Sequence, residues 1–238
     1  MQINADFSHR AAVHAAAVHW VASPMAGVER KMLDRVGDEV ARATSIVRYA
    51  PASRFSPHTH GGGEEFLVLD GVFQDEHGDY PAGSYVRNPP QSRHTPGSAT
   101  GCTILVKLWQ FDPDDRSPVR LDTRSLALAP IGGRPGVLAA ELFRDARETV
   151  RLERWAPDAV VRYAPEGGLE VFCLDGSFVE QGEAFARWSW LRLPEGAPLQ
   201  AEAGAEGCRV WVKEGHLHFA TTAIPGPVRP GPACGTRQ

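Results

Sequence analysis

The segment PHTHGGGEEF brings His58, His60 and Glu64 close together in the chain, and NPPQSRH adds His94 further on. Three imidazoles and one carboxylate form a donor set for one divalent metal ion. Donors of this borderline kind suit zinc or iron first and also manganese, nickel or copper, because such sites select by geometry and availability rather than by affinity alone. In an extended segment residues i and i+2 share a face, so His58 and His60 can converge on one point. Gly61, Gly62 and Gly63 allow the backbone to bend sharply and deliver Glu64 at the start of the apolar run EEFLVLD. Along that run Glu64, Phe66 and Val68 share one face, and Glu65, Leu67 and Leu69 the other. Glu64 is therefore the expected ligand, while Glu65 is expected to point away.

The elements that must position these groups read as β-strands. Short runs rich in Val, Ile, Leu, Phe and Trp alternate with Gly/Pro/Asp turns, with little helical periodicity, which is the pattern of an all-β sandwich or barrel. The chain also repeats itself at a shift of 105 to 106 residues: RYAP (48–51) aligns with RWAP (154–157), LDG (69–71) with LDG (174–176), and Gly101, Cys102 and VK (106–107) with Gly207, Cys208 and VK (212–213). In the second copy Tyr163 and Pro165 stand near the positions of His58 and His60, Leu169 matches Glu64, Leu199 matches His94, and Trp188 replaces Gly83. No metal site is expected there; Trp188, Trp190 and Trp211 give that copy apolar bulk instead, suited to a scaffold that packs on the first copy or builds a dimer, or else to a small-molecule pocket.

Glu64, six residues, Gly71, then Gly83, five residues, Pro89, one residue, Gln91, two residues and His94 resemble the two-part signature of the cupin superfamily. Gln91 stands where Gly is usual and Ser98 where Asn is often found. More narrowly, PHTHGGGEEFLVLDGVFQDEHGDYPAGSYVRNPP with SRHTP and GCTILVKLWQF looks like the ChrR-like cupin family, the cupin half of certain bacterial anti-sigma factors. The resemblance implies two tandem jelly-roll β-barrels: an N-terminal extension over 1–19, a metal-binding cupin domain over 20–120, a degenerate one over 121–220, and a Pro/Gly-rich tail over 221–238. It implies zinc held by His58, His60, Glu64 and His94, and a role in oxidative-stress sensing. The first 50 residues contain no Cys, so the family's His/Cys module that grips a sigma factor is not expected, nor is direct sigma-factor binding. Other cupins with similar sites are iron-dependent dioxygenases cleaving β-diketones or hydroxylated aromatic ketones. That alternative assigns Phe66, Val68 and Tyr85 to apolar walls, and Arg87 and Lys107 to offsetting enolate charge.

At 238 residues, 42% hydrophobic and 23% charged, the chain can bury one large core or two small ones. A formal net charge of -4 leaves no basic footprint for nucleic acid, and no apolar run is long enough to span a membrane. A cytoplasmic protein is expected, with a small-molecule ligand and a homodimer as its possible partners. Cys102, Cys173, Cys208 and Cys234 show no CxxC spacing and read as small buried hydrophobes. His216 and His218 form a second His-x-His on an expected strand, without a following carboxylate or third His. His9, His14 and His19 recur every five residues, which does not align them on a helical face, and are expected in solvent. His77 reads as a hairpin tip. Asp70, Glu65, Asn88 and Gln110 are, by type, candidates to orient the ligating histidines.

Overall fold

A computed structural model describes residues 1–38 and 40–220. These are β-strands and loops with three short 3-10 turns, as the all-β reading requires. The expected tail at 221–238, with Cys234, lies outside the described residues. The first large sheet runs, neighbour to neighbour, through Val28–Gly37, Ala41–Tyr49, Cys102–Leu108, Glu64–Asp75, Ser84–Asn88 and Val119–Asp122. The second runs through Val137–Arg144, Thr149–Trp155, Leu199–Glu214, Leu169–Glu180, Ser189–Leu193 and Ala11–His14. The two orders are the same once the repeat is applied.

The repeated LDG has a physical cause. Leu69 and Leu174 are each an extra residue in the ladder against the neighbouring strand, a β-bulge that bends the strand. Gly71 and Gly176 follow at the same φ of 71°, where a Cβ would collide with the carbonyl oxygens of Gly101 and Gly207. Glycine is thus required twice at each closure. At the next turn Gly83 (φ 92°) is matched by Trp188 (φ 66°). Their N–H groups donate to Val68 and Cys173 respectively.

Strict alternation sorts the side chains. Phe66, Val68, Val86, Ile104 and Val106 join Phe73 and Tyr80 in a cluster inside the first sheet. Val171, Cys173, Phe178, Leu191 and Val210 form another inside the second. The opposite faces meet: Leu33, Ile46, Leu67, Tyr85 and Leu105 pack on Leu152, Phe172, Trp190 and Trp211 in a third cluster shared by both halves. Cys102, Cys173 and Cys208 are buried and free.

Two expected boundaries are corrected by the strand pairing. Residues 1–19 are not merely an extension, because Ala11–His14 pairs with Ser189–Leu193 of the second sheet. Conversely Val119–Asp122, which straddles the expected division at 120/121, pairs with Ser84–Asn88 of the first. Each repeat therefore lends its leading strand to the other, capping an edge that would otherwise be open. His14 is drawn in by this exchange rather than left in solvent, bonding Glu183 at 2.8 Å and Ser189 at 3.1 Å.

The seam between the halves also carries buried charge in a reciprocal pattern. Lys213 Nζ lies 2.6 Å from Glu65 and 2.9 Å from Glu148, while its counterpart Lys107 lies 2.6 Å from Glu170, the counterpart of Glu65. Tyr85 donates to Glu65 and Trp190 Nε1 to Glu170. Such exchange of equivalent partners is the pattern of an isologous two-fold interface. Burial opposes ionisation of Glu65, yet Lys213 and Arg87 hold its carboxyl down to about 2. Burial likewise opposes Glu170, which Lys107 and His216 hold well below the ordinary range. His216, pushed down to about 4 chiefly by burial, stays neutral against Glu170. Between pH ~6.5 and ~4 the unfolded chain takes up a proton on His216 that the folded chain refuses, and below ~4.5 the same holds for Glu65 and Glu170, so stability falls with pH through both windows. Urea midpoints of metal-free protein should decline from pH 7 to 4. His216→Gln should flatten the upper window only; equal slopes for both proteins would refute the assignment to His216.

Candidate metal centre

His58 and His94 face each other across a two-residue ladder formed by His58–Thr59 and Arg93–His94. The His60 N–H donates to the Ser92 carbonyl at 2.9 Å, and the Gln91 N–H to the His60 carbonyl at 2.8 Å, so the two motifs are tied by backbone. Gln91 holds φ at 72°, the left-handed conformation for which glycine is the usual choice. The Gln91 side chain is exposed. Ser98, buried, donates to the Val72 carbonyl at 2.6 Å.

The three imidazoles converge with ring centroids 4.9, 5.0 and 4.7 Å apart for His58/His60, His58/His94 and His60/His94. One nitrogen from each lies within 4.8 Å of the others. Glu64 Oε2 sits 3.4 Å from His60 Nε2 and 3.6 Å from His94 Nε2. Both Nε2 atoms are buried without a hydrogen-bond partner, a costly state that a metal ion would relieve. The donor set therefore fits a divalent cation. Burial, opposed by Glu64 and reinforced by the other two rings, lowers the His60 pKa and favours the neutral ligand form. His58 is the exposed member.

Of the four expected supporting residues only Asn88 reaches the cluster, its amide donating to Glu64 Oε2 at 3.0 Å. Gln110 bonds Ala43 and Thr44, Asp70 is exposed, and Glu65 belongs to the seam. The group that orients His94 is Asp75, which receives Nδ1–H at 3.2 Å and leaves Nε2 facing the cluster. Its odd separation from Glu64 places Asp75 on the opposite face by simple alternation. The bulge at Leu69 shifts the parity and returns it, and Phe73, to Glu64's side. Asp75→Asn should weaken metal binding about 10–100-fold with little change in stability, read by competition with a chromogenic chelator. Unchanged affinity would show that Asp75 does not orient His94.

The cluster opens onto a cavity of about 420 Å³ lined by His58, His60 and Glu64 and by Val47, Tyr49, Phe55, Val106, Leu108 and Trp109. Gly62 and Gly63 let the chain pass against the Trp109 and Phe111 rings, where a Cβ would overlap either ring. Phe66 and Val68 share Glu64's face but pack below it, with Phe66 4.6 Å from Phe73. Tyr85, Arg87 and Lys107 are not part of this chamber. In register Tyr85 opposes Leu67, and Arg87 and Lys107 both oppose Glu65, so all three take the seam face. Their polar ends are used by Glu65, Glu148 and Glu170.

Among the described residues, the His/Cys/Asp/Glu grouping of this kind lies in the first half. Tyr163 faces Leu199 as His58 faces His94. Charge pairs stand at positions matching residues that line the cavity: Arg134 and Arg151 bind Glu153 at 3.1 and 3.0 Å, and Arg151 binds Glu214 at 2.6 Å. His216 and His218 lie on a 3-10 turn rather than a strand, and are bound separately, at 2.8 Å by Glu170 and 3.1 Å by Glu195. His77 occupies a hairpin turn.

Two antiparallel sheets of this order, with a His-x-His, a strand-borne Glu and a distant His brought together on one of them, define a cupin-fold protein. Residues 8–112 match the family model of the ChrR cupin-like domain. Solved structures of the same fold include a Nostoc punctiforme protein described provisionally as a dioxygenase (16% identity, 95% of this chain and 87% of that one, TM-score 0.67). They also include protein YlbA of Escherichia coli (15%, 89% and 93%, TM-score 0.66). A third is the bacterial pirin YhhW of E. coli in complex with nickel(II) (12%, 87% and 98%, TM-score 0.59). Among proteins of curated function none matches. No helix among the described residues is long and apolar enough to cross a membrane.

Proposed function

We propose that the protein binds one divalent metal ion through His58, His60, Glu64 and His94 and presents it to a small molecule in the adjoining cavity, as a metal-dependent oxidoreductase of dioxygenase type. The observation that carries this reading is the pair of unpartnered Nε2 atoms on His60 and His94 beside a largely apolar chamber. A bound metal supplies Lewis acidity and a template for orienting reactants. The chain's own residues do the rest: Asp75 fixes the His94 ring, Asn88 holds one oxygen of Glu64, and Val47, Phe55, Val106 and Leu108 exclude water. Glu64 presents Oε2 to the two imidazoles. β-Diketones and hydroxylated aromatic ketones are the substrate classes to try first. A second reading, oxidative-stress sensing around a zinc centre, is favoured by the ChrR cupin-like match over residues 8–112.

The test is elemental analysis of protein purified without a His tag or added metal, with His58→Ala/His94→Ala alongside, followed by oxygen-consumption assays. Iron, manganese, nickel or copper near one per chain, lost in the variant, with oxygen uptake on a ketone, is the expected result. Zinc at one per chain without oxygen uptake favours the sensor. Metal retained in the variant refutes the site.

A further inference from the structure

Six arginines are buried among the described residues: Arg35, Arg42, Arg87, Arg134, Arg151 and Arg192. Five of them lie within 4.0 Å of a buried or part-buried carboxylate: Arg42 and Arg192 at Asp34, Arg87 at Glu148, Arg134 at Glu153, Arg151 at Glu214. Arg35 does not. At 6% exposure its Nε donates only to the nearby Gly37 carbonyl, at 3.2 Å, and no carboxylate of the described residues forms an ion pair with it. It lines the cavity beside the histidine cluster, and so does Arg30, whose only side-chain hydrogen bond among the described residues goes to Ser23 Oγ, at 2.9 Å. Burial and then the charge of Arg30, opposed by the charge of the exposed Asp38, lower the Arg35 pKa, as two like charges facing one space should. A buried guanidinium with no carboxylate of the described residues within ion-pair distance is expensive, and a planar fork of donors is suited to a carboxylate or phosphate.

We infer that the cavity takes a small organic oxyanion, an acid or a phosphate ester with an apolar body, its anionic group on Arg35 and Arg30 and its body against Val47, Phe55 and Val106. The inference rests on the reading of this cavity as the metal centre's substrate chamber and narrows its substrate class. A volume of about 420 Å³ lies in the range of small-molecule sites.

The test is calorimetric titration of metal-free protein with phenylacetate, benzyl phosphate and the neutral phenylacetamide. At least one of the two anions should bind ten-fold or more tightly than the amide, and the tighter of the two assigns carboxylate or phosphate. The preference should disappear in Arg30→Gln/Arg35→Gln and persist in part in Arg35→Lys. If Arg35→Gln fails to fold, Arg30→Gln alone, on a half-buried side chain, should still reduce it. Equal binding of anion and amide by the native protein, or a preference that survives in the folded double variant, overturns the inference. His58→Ala/His94→Ala should retain the preference while losing metal, which separates failure of this inference from failure of the metal site; loss of the preference there would place the anion on the imidazoles and also overturn it.

Discussion

Lys213→Met should lower the unfolding free energy by about 3–5 kcal/mol, measured by urea denaturation at pH 7, while leaving metal content unchanged. Lys213 and Arg87 are the cations facing Glu65, Glu148 and Asp115 in the seam. Removing the lysine leaves Glu65, 1% exposed, with only the Tyr85 hydroxyl and a guanidinium at 3.7 Å. A buried charge stripped of its main partner is what makes such losses large, whereas removing both partners costs far less. Glu65→Leu/Lys213→Met should therefore recover much of the loss. The metal should stay because Glu65 and Glu64 occupy opposite faces of one strand. A loss below about 1 kcal/mol, the scale of an exposed pair, would show that the seam is wetter than its geometry implies.

Glu64→Leu/His94→Leu should abolish metal binding, with affinity falling by well over about 100-fold, the loss that removing an outer hydrogen-bond partner alone can reach. The stability of the metal-free protein should hold or rise. These substitutions copy the second half, where Leu169 and Leu199 occupy the corresponding positions with no exposure. The fold has already accommodated leucine there. Replacing a buried carboxylate and an imidazole whose Nε2 has no partner by hydrocarbon removes a desolvation cost, which offsets the loss of the bond from His94 Nδ1 to Asp75. Metal affinity measured by chelator competition and thermal melting of the metal-free protein check the two halves of the expectation separately. Stoichiometric metal in the variant would sink the ligand assignment.

Much of the candidate centre was legible from short-range pattern. His58, His60 and Glu64 lie close in sequence, and the glycines between them permit a single bend. The repeat was legible for a similar reason: Gly71 and Gly176 are forced by backbone contacts that no other residue tolerates, so the same letters recur. Even Trp188 in place of Gly83 was readable as an alignment, although only the backbone shows that tryptophan adopts the same left-handed turn there.

Which face a side chain takes was decided by tertiary pairing. Alternation with period two holds only within an unbroken ladder, and one inserted residue reverses every assignment beyond it. The bulge at Leu69 carries Asp75 to His94, and the register break between Met32 and Asp34 brings Arg35 round to Arg30's side. Tyr85, Arg87 and Lys107 missed the chamber because their cross-strand neighbours, Leu67 and Glu65, belong to the seam. The exchange of Ala11–His14 and Val119–Asp122 between the sheets likewise left no local mark, since a strand's sequence records that it needs a neighbour and not which edge supplies one. By itself the sequence determined the all-β class, the repeat and the metal-type donor set, all properties of local chemistry. Register, bulges and the docking of the two halves determined the supporting aspartate, the arginines of the cavity and the buried charge seam, because each joins residues that only the folded sheets bring together.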